Sequence, residues 1–332
     1  MELMGGLVSG RLFHPREFAL TAIRAVAASA GVAGLLPCCS VALRWLELSN
    51  QLTAYRLFVS ADKLLGDCGS LPAALKRLHG ADPYMRLWTL EGLGWCWFQD
   101  AGRRLDSRLA SYQLVPLHTG AGLALARSTL ETPGLDRSDC DLRAALHRFR
   151  QGCQAISIPG YEGATFEALG LVAATVYPSL AARIEAALSD TGEIAYFWHG
   201  MGRGLYFSPL SLLPLDGARR RLIELSQRAP SSCEGRENML SGLGWATALV
   251  NVRHPEVVAF AFRTLAEGDV PREAFEMGAA SALVIWREND PGNSWLRRWD
   301  SAPPLQKALA WHEIVRARGL WGRLFRVHGL RR

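Results

Sequence analysis

Apolar residues recur along this chain at intervals of three and four, whereas alternating β-branched runs bounded by turn residues are almost absent. The segments Ala73–His79, Leu142–Arg150, Leu180–Leu188, Ala218–Gln227 and Pro255–Ala266 read as amphipathic helices. Polar breaks near Pro133–Asp141, Ser189–Gly192, Ala229–Gly235 and Asn289–Asn293 separate the apolar stretches, and none is long enough for a flexible linker. The pattern predicts an all-α protein.

Six segments share a glycine followed by small and apolar residues: Gly92-Leu-Gly-Trp-Cys96, Gly120-Ala-Gly-Leu-Ala124, Gly163-Ala-Thr-Phe-Glu167, Gly200-Met-Gly-Arg-Gly204, Gly242-Leu-Gly-Trp-Ala246 and Gly278-Ala-Ala-Ser-Ala282. The last five lie roughly 40 residues apart, the length of a helix, a turn, a second helix and a turn. A glycine inside a helix costs up to about 1 kcal/mol relative to alanine. Recurrence at one position therefore points to helices crossing too closely for a side chain. These observations predict a helical repeat, a superhelix or a closed α/α toroid, of about six glycine-led helices over residues 71–290. Capping helices are expected at 1–70 and 291–332.

Composition adds exclusions. Hydrophobic residues make up 49% and charged residues 20% of the 332, enough for a large core. The net charge of +6 comes from scattered arginines, with lysine only at Lys63, Lys76 and Lys307, so no nucleic-acid surface is expected. The seven cysteines include no CxxC pair, which fits reduced thiols in a cytoplasmic protein. The uncharged stretch from Ala25 to Leu43 is broken by Gly31, Gly34 and Pro37, so a buried helix and turn are expected there in place of a membrane span. Gly200, Gly202 and Gly204 follow no strand, which removes the dinucleotide reading. HExxH and GxSxG are absent, and the acids Asp136, Asp139 and Asp141 read as a solvated turn. No metal and no cofactor are expected.

In order, the stretches Leu90-Glu-Gly-Leu-Gly-Trp95, Val115-Pro-Leu-His-Thr-Gly-Ala-Gly-Leu-Ala-Leu-Ala-Arg127, Tyr161-Glu-Gly-Ala-Thr-Phe166, His199-Gly-Met-Gly-Arg-Gly-Leu-Tyr-Phe207, Leu240-Ser-Gly-Leu-Gly-Trp245 and Glu276-Met-Gly-Ala-Ala280 resemble a bacterial family of unknown function found in enediyne antibiotic gene clusters. The resemblance spans roughly residues 84 to 290. His199 stands where that family carries Gln, and Thr165 and Glu167 where it carries Gly and His. The resemblance implies work on a polyene or polyketide product and supplies no mechanism.

The residues just before the repeat glycines are Glu91, Thr119, Glu162, His199, Ser241 and Met277. If equivalent positions converge, Glu91, Glu162 and His199 would form an acid–base set; as caps or backbone partners they would be structural. His118 lies one residue earlier in its motif. Arg203 follows His199 by one turn and could hold a carboxylate, or pair with Glu162 or Glu193. Glu167 occupies a position that is small in other repeats, so it is either paired or faces a cavity. Trp95, Tyr161, Phe166, Trp198, Tyr206 and Trp245 crowd the motifs and could line a pocket for a flat, unsaturated ligand, or simply fill the core. The expected function is isomerisation or cyclisation of a hydrophobic small molecule. The alternatives are a scaffold that shields an intermediate or docks a biosynthetic partner protein, and a terpene-cyclase-like activity. The basic tail Arg316–Arg332 is expected to close the core as a last amphipathic helix.

Overall fold

The structure, a computed structural model, describes residues 39–101, 105, 109–208, 230, 232–266, 272–290, 292 and 294–299. The apolar stretch that begins at Ala25, the segment Ala218–Gln227 and the tail Arg316–Arg332 lie wholly or mostly outside them. The described residues form twelve α-helices and no strand. They are α1 (Cys39–Cys68), α2 (Leu71–Leu78), α3 (Pro83–Ala101), α4 (Ser111–Leu130), α5 (Asp139–Ile156), α6 (Glu162–Thr175), α7 (Ala181–Leu188), α8 (Ile194–Phe207), α9 (Cys233–Val250), α10 (Pro255–Ala266), α11 (Arg272–Asn289) and α12 (Leu296–Trp299).

Local chemistry sets several boundaries. Gly69, at φ +69°, ends α1 in the left-handed conformation that glycine tolerates, and its N–H bonds the Leu65 carbonyl at 2.9 Å. The side chains of Ser70, Ser138 and Ser232 accept from backbone N–H groups three residues on, capping α2, α5 and α9.

Two kinds of helix result. On α5 the buried positions Leu142, Ala145, Leu146, Phe149, Cys153 and Ile156 form one stripe, so this helix lies on the outside. On α6 every residue from Ala164 to Ala174 is buried, so it is enclosed on all sides. Seven helices form a row in which α1, α3, α4, α6, α8, α9 and α11 pack each on the next. The row bends until its far end meets its beginning. Tyr84 of α3 stacks on Trp286 of α11 at 5.7 Å, Asn289 donates to the Pro83 carbonyl, and Arg86 donates to Asn289. Tyr84 also donates to the Val250 carbonyl at 2.8 Å.

Backbone-to-backbone crossings hold the row together. A Cβ at Gly120, Gly200, Gly242 or Gly278 would overlap the carbonyl of Glu91, Glu167, His199 or Ser241 on the preceding helix. The second glycines, Gly94, Gly122, Gly170, Gly202 and Gly244, press in the same way on Leu117, Thr165, Phe197, Met239 and Phe275 of the following helix. A carbonyl in a regular helix cannot step aside, so glycine is required at these sites by the neighbour's backbone. Among the described residues no single helix is long and apolar enough to cross a membrane; α6 joined to Pro178–Leu188 passes that test only as a pair bent by 111°.

Candidate functional site

The crossings fix which residues are equivalent. The carbonyls facing the next helix's first glycine belong to Glu91, Glu167, His199 and Ser241. In α6 the corresponding pair is therefore Ala168 and Gly170. Gly163 instead packs against the ring of Tyr196. The acid in register with Glu91 and His199 is Glu167, which corrects the expectation of Glu162.

This register brings three charged or polar side chains together in the interior. Glu167 is 0%, Arg203 1% and His199 2% exposed. His199 Nδ1–H donates to Glu167 Oε1 at 2.7 Å, and Arg203 Nη1–H donates to the same oxygen at 3.2 Å. Because His199 and Arg203 are one turn apart on α8, they present to α6 as neighbours. Arg203 Nη2 lies 3.7 Å from Glu91 Oε1, and its guanidinium carbon stands 4.2 Å over the ring of Trp245 on α9. His199 meets the same ring edge-on.

One guanidinium thus serves two buried carboxylates. Burial pushes Glu167 upward, but Arg203 and His199, through charge and direct hydrogen bonds, outweigh it and hold this carboxyl below its ordinary range. Glu91 has only the longer ion pair. Burial raises it to about 7; Arg203 pulls it down, and the neighbouring Glu167 charge pushes it up. Glu91 is therefore the group that exchanges a proton near neutrality.

Glu91 also opens onto space. A small apolar cavity of about 50 Å³, partly open to solvent, is lined by Ala54, Tyr55, Phe58, Trp88, Leu123, Leu171 and Phe207, with Glu91 as the one carboxyl among the lining residues. A proton-exchanging carboxyl beside aromatic faces is suited to general acid–base work on an apolar compound.

The remaining expected site residues lie elsewhere. Glu162 is half-buried at the start of α6, where it accepts from the Gly160 N–H at 2.8 Å. His118 is a joint between helix and loop. Its Nδ1–H donates to the Leu114 carbonyl at 2.6 Å, its Nε2 accepts from the Ile158 N–H at 3.0 Å, and its ring stacks on Tyr161. Burial lowers it to about 4, against smaller upward pulls from the Leu114 bond and Glu162, so it stays neutral. Phe166 packs on Phe149, Trp198 on Phe197, and the Tyr206 hydroxyl accepts from Asn251. Trp95 touches Phe58 edge-on, one layer behind the cavity wall. Of the six expected aromatics only Trp245 joins the polar cluster, and none is among the cavity-lining residues. Arg203 pairs with Glu167 and Glu91, while Glu193 pairs with Arg150.

The lining aromatics Tyr55 and Phe58 come from α1, which has no glycine motif; Trp88 and Phe207 sit one turn from Glu91 and Arg203. No group of three or more His, Cys, Asp or Glu side chains among the described residues is placed to hold a metal ion. The chain matches no family model, no curated protein and no solved structure.

Proposed function

We propose that this chain is an enzyme that moves a proton on a hydrophobic, unsaturated small molecule, with Glu91 as the acid–base group and the aromatic cavity as the binding site. One observation carries the reading: the cavity's one lining carboxyl is poised at about 7. A group near that value gives and takes protons with comparable ease at neutral pH, as isomerisation or cyclisation requires. Arg203 and Glu167 would hold Glu91 in this state, and His199 would orient Glu167. The substrate class, a polyene- or polyketide-like compound of a natural-product pathway, comes from the resemblance of the glycine motifs to the enediyne-cluster family. The apolar walls are compatible with it.

The test is complementation of a gene-deleted source strain, with pathway products compared by mass spectrometry. Wild type restores the product, whereas Glu91→Gln, which keeps the shape and loses the titration, accumulates its precursor. Equal restoration by both would replace the enzyme with the alternative, a non-catalytic protein that shields an intermediate or docks a synthase.

A further inference from the structure

Glu91 belongs to two surroundings, the cavity that it lines and the buried polar cluster that it pairs with. Leu171 lines the cavity from α6 and Phe207 from α8. Glu167 and Arg203 precede these residues by four positions, so each lies one turn away along the same helix face. Glu91 stands between the apolar chamber and this polar floor, 3.7 Å from Arg203 Nη2.

The floor has bonding capacity left over. Arg203 Nε and Nη2, and Glu167 Oε2, are buried and make no hydrogen bond among the described residues. Withdrawing such groups from water without replacement is costly, so the arrangement favours an occupant that supplies what they lack. Its charge is constrained as well. Arg203 is already matched by Glu167, and a further carboxylate would sit beside two acids. A neutral oxygen fits better, and the Nε–H and one Nη2–H of Arg203, neither of them hydrogen-bonded, match the two lone pairs of a carbonyl.

Taking Glu91 as the proton-transfer group proposed above, we infer that the floor receives a ketone oxygen, and that the substrate is an apolar unsaturated ketone with an enolisable carbon beside Glu91. In the reaction, the Glu91 carboxylate takes a proton from the carbon next to the carbonyl. The C–H pair becomes the new C=C bond, and the carbonyl π pair moves onto the oxygen held by Arg203. The neutral Glu91 then returns the proton to the same carbon, or to the far end of the conjugated system, shifting the double bond. Nothing is oxidised or reduced, and Glu91 ends as it began. Arg203 binds the oxygen where negative charge develops.

The probes are diphenylhexatriene, a neutral polyene that fluoresces in apolar surroundings, and the matched pair 2-tetralone and tetralin. On the full-length protein, 2-tetralone is expected to displace diphenylhexatriene at about a tenfold lower concentration than tetralin, although the ketone leaves water less readily. Wild type should also catalyse deuterium uptake from D₂O at the carbons flanking the ketone, with a loss of about a hundredfold or more in Glu91→Gln. Tetralin binding as well as the ketone, 2-tetralol binding better than it, or exchange no faster than in buffer would each overturn the ketone assignment. If those results accompany a source strain that still needs Glu91, only this assignment falls. If Glu91→Gln complements fully, the acid–base reading falls with it.

Discussion

The Glu91–Arg203–Glu167–His199 floor and the His118 joint are made of similar material in neighbouring parts of the row, yet they are finished differently. Both hold a buried histidine and an aromatic ring. At the joint each imidazole nitrogen meets a backbone partner, Leu114 on one side and Ile158 on the other. At the floor Glu167 Oε2 and two Arg203 nitrogens are left over, and one member of the cluster, Glu91, lines a cavity. Buried polar groups that only hold a fold together are normally satisfied by it. Leftover capacity next to space is what a binding site needs before its ligand arrives, so completeness of bonding, more than residue type, separates the two regions.

The largest effect should come from breaking the floor. Glu167→Ala strands the Arg203 charge in the interior with only the longer Glu91 contact, and stability in a urea titration should fall by about 3–5 kcal/mol. A loss near zero would mean that the pair contributes nothing to the fold. His118→Ala removes two hydrogen bonds and a stacked ring and should cost about 2–3 kcal/mol. Diphenylhexatriene binding to the folded fraction should be unchanged by it, because His118 does not reach the cavity.

A pH series sharpens the contrast because the two regions titrate with opposite sign. His118 is lowered from 6.5 to about 4, so the unfolded chain binds its proton first on acidification. Stability from this group is present above 6.5 and lost as pH falls toward 4. Glu91 is raised from 4.5 to about 7, so the unfolded chain loses its proton first on alkalinisation. Stability from that group is present below 4.5 and lost as pH rises to 7. Arg203 from α8, Glu167 from α6 and Tyr55 from α1 act on Glu91; Glu167, held low, loses its contribution only as pH falls below the ordinary carboxylate range. Between about pH 4.5 and 6.5 the His118 and Glu91 slopes oppose each other in wild type. Glu91→Gln should unmask a rise in urea midpoint with pH, and His118→Gln a fall, each on the order of 2 kcal/mol across the window. Parallel slopes in the two variants would contradict the opposite assignments.

The sequence carried the helices and most of the crossings openly. Gly92/Gly94, Gly120/Gly122, Gly200/Gly202 and Gly242/Gly244 mark tight contacts because only glycine leaves room for a neighbouring carbonyl. The third crossing was hidden because alanine fills its first position, while Gly163 nearby has another task, under Tyr196. A better signal was present: Glu167-Ala-Leu-Gly170 parallels Glu91-Gly-Leu-Gly94 and Ser241-Gly-Leu-Gly244. The cavity was less legible still. Tyr55 and Phe58 lie on a helix without such a marker, and an aromatic stripe that lines a cavity looks in sequence like one that fills a core.

The smallest expected effect tests that register. Five residues separate Glu162 from Glu167, and on a helix this turns a side chain by about 140°, from the crossing to the rim. Glu162 accepts one N–H, from Gly160, at a half-exposed helix start. Glu162→Ala should therefore cost about 0.5–1 kcal/mol, as the loss of one such bond does. Diphenylhexatriene binding and deuterium exchange into 2-tetralone should stay at wild-type levels. If Gly163 marked the true crossing, Glu162→Ala would be the variant that strands Arg203, and Glu167→Ala the mild one. Measuring both in one denaturation experiment decides between the registers, since the order of the two losses reverses.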